Sequence, residues 1–153
     1  MKILQSTGPS KVVTLIRVIV AVPILAIGIQ HLTVAEASMK PLLEAAGLPL
    51  PELTAKVAPF FEIAGALLLL AGFYARIGAA LLSGAMAAAT ATHIIIAQKG
   101  LPWPNGEENN PGTFLPALLF VGALFILWKG AGAFSLDRKL SSKEPSEVLE
   151  SAG

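Results

Sequence analysis

The sequence contains no cysteine. Disulfides, thiolate nucleophiles and thiolate metal centres are therefore excluded, and the redox state of the compartment leaves no mark on it. Charge is almost as scarce. Asp, Glu, Lys and Arg make up 14% of the 153 residues, against about 25% in a soluble domain. The formal net charge is +1, so nothing would draw a polyanion, and nucleic acid is not expected as a partner. Phosphate-cradling glycine loops, nucleophile elbows, dinucleotide fingerprints and paired-cysteine motifs are missing too, which leaves an enzymatic reading without a motif behind it.

What the chain does have is apolar length. It is 54% hydrophobic, with a mean hydropathy of +0.70. Four apolar runs stand out, at 12–34, 57–75, 77–97 and 114–128, the last lengthened upstream by uncharged residues. A helix crossing the hydrocarbon needs about 20 residues, so four spans fit. The first run follows a basic start, as a secretory signal does. It exceeds the roughly 7–15 apolar residues of a signal core, so we expect it to be retained.

Between the first two runs, residues 37–46 form a short amphipathic stretch ended by Gly47, and Pro49 and Pro51 break the helix before the next span begins near Leu53. This stretch is expected to lie at the interface with its apolar side down. A tight turn at 76–78 joins the second and third runs, which makes them an antiparallel hairpin. In the third run Ala80, Gly84, Ala88 and Thr92 recur every fourth position. Small residues at that spacing let helix backbones approach in lipid. The fold class expected is an all-α membrane protein: a four-transmembrane-helix antiparallel bundle with a short interfacial helix in the first outer connector. Residues 1–140 would form the single domain and 141–153 a mobile cytoplasmic tail.

Orientation follows from the basic residues. Lys2, Lys11, Arg76, Lys129, Arg138, Lys139 and Lys143 fall on one side, and Lys40, Lys56 and Lys99 on the other. Both termini are therefore expected in the cytoplasm, with the 35–56 and 98–112 loops outside. In the second loop, Trp103, Glu107 and Glu108 read first as an interfacial anchor and a solvated acidic turn. A docking surface for an outer partner is the alternative.

The stretch 59–79 organises the rest. It carries one carboxylate, Glu62, in an apolar helix. Steps of 100° place Glu62, Gly65, Leu69, Gly72 and Arg76 on one face. A carboxylate at a helix centre costs about 2.5–3.5 kcal/mol on insertion scales, so Glu62 is expected to face protein. In the first helix Arg17, Gly28 and His31 share a stripe, and Gly28 admits a neighbouring helix. In the third, Met86, Thr90, His93 and Ala97 share a face. A rise of about 1.5 Å per residue brings His31, Glu62 and His93 to similar depth near the outer leaflet, and leaves Arg17 near the inner one. The candidate polar pocket is thus Glu62, His31, His93 and Arg17. The candidate helix-packing glycines are Gly28, Gly65, Gly72 and Gly84. Two readings of the pocket stay open: a route for protons or a polar head group, and interhelical hydrogen bonds that fix packing. Two histidines and a carboxylate suit a metal chemically, but no local ligand spacing supports one, and no metal is assigned. Arg17 is read as snorkelling to headgroups or capping a neighbouring helix end, with anion binding as a minority reading.

These motifs, in their order, resemble the DoxX family of small four-helix membrane proteins. The resemblance runs from about 15 to 140. It is carried by Arg17, GIQHL at 28–32, GLPLP at 47–51, EIAGALLLLAGFYARIGA at 62–79, His93, NGEE at 105–108 and GAGAFSLDRKL at 130–140. His31 departs from it, since many relatives carry lysine there, and the loop around Trp103 has no counterpart. The resemblance implies an accessory membrane subunit linked to redox systems, some relatives belonging to thiosulfate:quinone oxidoreductases. It marks Arg17, Glu62 and Asp137 as family-typical positions without a known catalytic role. Ser135 reads as the cap of a short helix starting near Leu136, with Asp137 near its positive end, and Arg138 and Lys139 as facing anionic headgroups.

The expected function is a non-catalytic accessory or scaffold subunit of a quinone-linked membrane redox complex in the bacterial cytoplasmic membrane. Its contacts would be lipid, quinone and other membrane-protein subunits. The alternative is a stand-alone pocket protein that binds or moves a small amphipathic molecule or a proton through Glu62 and the histidines.

Overall fold

The computed structural model describes residues 8–33, 36–102 and 114–140. Those residues are all-helical, with no strand among them. The elements are α1 (Lys11–Thr33), α2 (Glu36–Ala46), α3 (Pro51–Ala71), α4 (Ala75–Lys99) and α5 (Phe114–Lys129). A single further turn, α6, covers 136–140. The stretches 1–7, 34–35, 103–113 and 141–153 lie outside the described residues, and with them the expectations for Trp103, Glu107, Glu108 and the tail.

Three helices, α1, α3 and α4, are long and apolar enough to cross a membrane, and α5 is a shorter apolar helix of 16 residues. At about 1.5 Å per residue, α5 falls short of the hydrocarbon thickness of about 30 Å. Helix α1 packs against α3 and α5, and α4 packs against the same two, so the four close into a ring. Val20, Ile24, Leu69, Leu82, Met86, Leu119 and Ile126 fill its interior. The outward faces are also apolar: Ile19, Leu67, Leu118 and Val121 are more than half exposed. A helix apolar all round belongs in lipid, where hydrocarbon rather than water meets the outer face.

The proline and glycine punctuation falls where the sequence puts it at the start of α3. Gly47 (φ 78°) ends α2 in the left-handed region, and Pro51 is the first residue of α3, where a missing N–H costs nothing. Helix α2 departs from its expected pose. Its apolar residues Leu43 and Ala46 are buried, and the helix packs on α3 and α4. Lys99 at the end of α4 donates to the carbonyls of Ala45 (3.1 Å) and Ala46 (3.3 Å). A cation there complements the negative end of α2. The apolar side of α2 is thus turned to protein.

The turn between α3 and α4 lies earlier than expected. It occupies 72–74, not 76–78, and Arg76 and Gly78 belong to α4. Gly72 (φ 61°) closes α3 with its N–H on Leu68 and Leu69 carbonyls. Arg76 therefore leaves the Glu62 stripe, whose members Glu62, Gly65 and Leu69 are all buried as the periodicity requires.

The packing glycines divide. A Cβ at Gly28 would sit 3.0 Å from Glu62 Cβ and 3.0 Å from Ile63 Cγ1, so α1 and α3 meet closely there. One at Gly65 would sit 2.7 Å from Leu82, and one at Gly78 would sit 2.8 Å from the Gly65 carbonyl. These two glycines mark a close approach of α3 and α4. Gly72 has Arg17 and Ser135 against it. Gly84 is a correction: it is exposed, and nothing among the described residues lies within 4 Å of its Cβ position. Ala80 and Ala88 are exposed with it, while Thr92 is buried. The small-residue stripe of α4 points away from the other helices. An alanine-rich helix has no polar side to declare its direction, which is why spacing alone could not orient it.

Candidate functional site

The buried polar groups form two clusters at opposite ends of the helices. The first is built on α1 and α3. Glu62 is 4% exposed, and its Oε2 lies 3.0 Å from His31 Nδ1. Gly28, one turn before His31, brings α1 close enough for this contact, since any side chain there would strike Glu62 and Ile63. The His31 side chain is 26% exposed, so the pair reaches from the protein interior to its surface. Glu62 Oε1 has no hydrogen-bond partner among the described residues and is open to water or a ligand head group. Imidazole and carboxylate at this distance form one interhelical hydrogen bond between α1 and α3.

His93 lies half-buried on α4. Among the described residues no three His, Asp or Glu side chains form a group able to hold a metal, so His93 does not complete a three-ligand set with His31 and Glu62. The hydroxyls of α4 are turned inward upon their own helix. Ser83, Thr90 and Thr92 donate to the carbonyls four residues back, at 2.7, 2.7 and 2.8 Å.

The second cluster sits where α1 begins, α3 turns into α4, and the chain leaves α5. Arg17 is 3% exposed. Its Nη1 donates to the Ala131 carbonyl at 2.7 Å and its Nη2 to the Phe134 carbonyl at 2.6 Å. Buried and engaged with backbone, Arg17 does not snorkel. It pins the segment that follows α5, and lies apart from Glu62. Asp137, 1% exposed, accepts from the N–H groups of Tyr74 (2.7 Å) and Ala75 (3.0 Å). Its own N–H donates to the Gly72 carbonyl at 2.9 Å. Asp137 is thus the cap of α4, supplied from 62 residues downstream, and its charge also acts on Arg17. It compensates for an awkward turn. Tyr74 adopts φ 46°, a conformation that costs a non-glycine residue about 1–2 kcal/mol.

Sequence reasoning found the residues of this cluster but not their pairing. Ser135 does cap α6, accepting from the Arg138 N–H at 3.3 Å. Asp137 was read as serving the same short helix, and instead serves α4. The available signal was the lack of any Ser, Thr, Asp or Asn before Ala75. A helix start without a local cap calls for a remote one. Thr14 and Ser10 extend the knot: Phe134 N–H donates to Thr14 Oγ1 at 3.2 Å, and Ala133 N–H to the Ser10 carbonyl at 3.0 Å.

A family model described as DoxX matches residues 12–94, more than half of the chain. The matched region spans α1, α2, α3 and most of α4, and includes Arg17, His31, Glu62 and His93. No curated protein and no solved structure matches.

Proposed function

Because this chain belongs to the DoxX family, and its helices suit a membrane, we propose that it is a non-catalytic accessory subunit of a membrane redox complex linked to quinone. The four helices α1, α3, α4 and α5 then form an antiparallel transmembrane bundle. Residue 17 beside 72 and residue 28 beside 62–63 support opposite directions for α1 and α3. Lys11, Arg76, Lys129, Arg138 and Lys139 gather at the Arg17 end, and Lys40, Lys56 and Lys99 at the other. The positive-inside rule places the Arg17 end and both termini in the cytoplasm of a bacterial cell.

The observation that carries the subunit reading is the outward stripe of Ala80, Gly84 and Ala88 on α4. Small residues one turn apart fit a partner helix closely. The experiment is mild detergent extraction from the native membrane. The tagged chain brings other membrane polypeptides with it, and Gly84→Leu releases them without unfolding the chain. Recovery of the wild-type chain with no companion contradicts the reading.

A second reading rests on the His31–Glu62 pair. A carboxylate held at 4% exposure with one oxygen unengaged is suited to passing a proton or holding a small amphipathic molecule. Glu62→Gln separates the two. Under this second reading it abolishes transport or ligand binding and leaves assembly intact. Unchanged transport and binding leave the subunit reading standing.

A further inference from the structure

Beyond the two polar clusters, the Arg17 end carries an open cleft of about 420 Å³. Ala71, the last residue of α3, and Ser135 line it. Arg138 and Lys139 line one side. Phe134 and Leu136 form an apolar rim, 67% and 45% exposed. We infer that this cleft binds the phosphate-bearing headgroup of an anionic phospholipid in the inner leaflet.

Three observations lead there. The first is charge. The described residues at this end include Lys11, Arg76, Lys129, Arg138 and Lys139, and the carboxylate among them, Asp137, is buried and committed to Tyr74 and Ala75. An anion in the cleft therefore meets cations without a competing exposed carboxylate from the described chain. Basic pockets between transmembrane helices on the cytoplasmic side are suited to phospholipid headgroups. The second is the donor supply. Arg138 has one long hydrogen bond from Nη1, to the Ala133 carbonyl at 3.4 Å, which positions the guanidinium and leaves its other donors for a bidentate phosphate contact. The third is the rim. A soluble phosphate gains nothing from Phe134 and Leu136, whereas the glycerol and upper acyl chain of a lipid cover them. The neighbouring Trp128, 70% exposed with Lys129 Nζ 3.7 Å from its ring centroid, marks the same level as a membrane interface.

The cleft has a rigid back wall. Arg17 and Asp137 hold the 131–137 segment by its backbone, so this backbone is fixed before anything binds. The inference is independent of whether a partner helix docks on α4.

The test uses the full chain, reconstituted in vesicles of phosphatidylglycerol and phosphatidylcholine, re-extracted in zwitterionic detergent, and examined by native mass spectrometry for retained lipid. The wild type retains phosphatidylglycerol over phosphatidylcholine. Arg138→Gln with Lys139→Gln lowers that retention about tenfold. Ala71→Phe fills the cleft with every charge in place and lowers it similarly. Lys129→Gln removes one charge outside the cleft and changes retention less than about twofold. Equal retention in the double variant overturns the proposal. So does a Lys129→Gln loss as large as that of the double variant, which reduces the effect to general surface attraction. Glycerol phosphate or inorganic phosphate at millimolar concentration leaves the lipid bound. Displacement by either assigns the cleft to a soluble anion and removes the lipid. Circular dichroism melts of each variant distinguish lost binding from lost fold.

Discussion

The two ends of this protein handle buried charge in opposite ways. At one end Glu62 meets a single side chain, His31, at 3.0 Å. At the other, Arg17 and Asp137 grip backbone: two carbonyls of the 131–134 segment and two N–H groups at the head of α4. Backbone partners are fixed by the fold, and a charge bonded to them is fully specified. A histidine at 26% exposure can turn its ring or yield to a ligand. The Arg17–Asp137 network therefore reads as a fastening, and the His31–Glu62 contact as the looser of the two.

The sharpest way to break this contrast is to remove Arg17. Arg17→Met leaves Asp137 buried without its compensating charge and strips two carbonyls of charged donors. The expected loss is about 3–5 kcal/mol, as for breaking a buried charge network by one partner. Denaturant titration in mixed micelles measures it, and a loss below about 1 kcal/mol would dissolve the idea of a fastening. Next come the glycines of the α3–α4 contact. Gly78→Ala drives a methyl against the Gly65 carbonyl, which lies 2.8 Å from the Cβ position. Overpacking of this kind costs about 1–3 kcal/mol, read as a lower melting temperature in the same detergent. Glu62→Gln comes third. The amide keeps a hydrogen bond to His31, and interhelical polar contacts average about 0.6 kcal/mol in a membrane protein. Stability should barely change while the proton or ligand traffic of the second functional reading stops. Gly84→Leu is expected to have the smallest effect on the isolated chain, within about 0.5 kcal/mol, because no described atom lies within 4 Å of that Cβ position. Its consequence is the loss of companions on extraction.

The sequence made some of this legible through period and cost. Glu62, Gly65 and Leu69 lie on one inward face because 100° steps demand it and lipid penalises a carboxylate. Gly28 sits opposite Glu62 for the reason that put it on the stripe of His31. Membership of the DoxX family was readable from ordered motifs, and the matched region of 12–94 bears it out. Other features were beyond local reasoning. The turn at 72–74 combines a left-handed Gly72 with a left-handed Tyr74, and the latter is stabilised by a carboxylate far along the chain. Nothing near Tyr74 announces that. The direction of the small stripe on α4 was likewise open, because nothing in an alanine-rich run distinguishes a face packed inside the bundle from one turned outward. Arg17 looked exposed to headgroups until the segment after α5 folded over it.

The division between a fastened end and a looser end is tested most directly by unfolding Asp137→Asn and Glu62→Gln side by side in the same micelles. The account predicts a loss of about 3–5 kcal/mol for Asp137→Asn and about 0.6 kcal/mol for Glu62→Gln. Equal losses, or a larger one for Glu62→Gln, would contradict it.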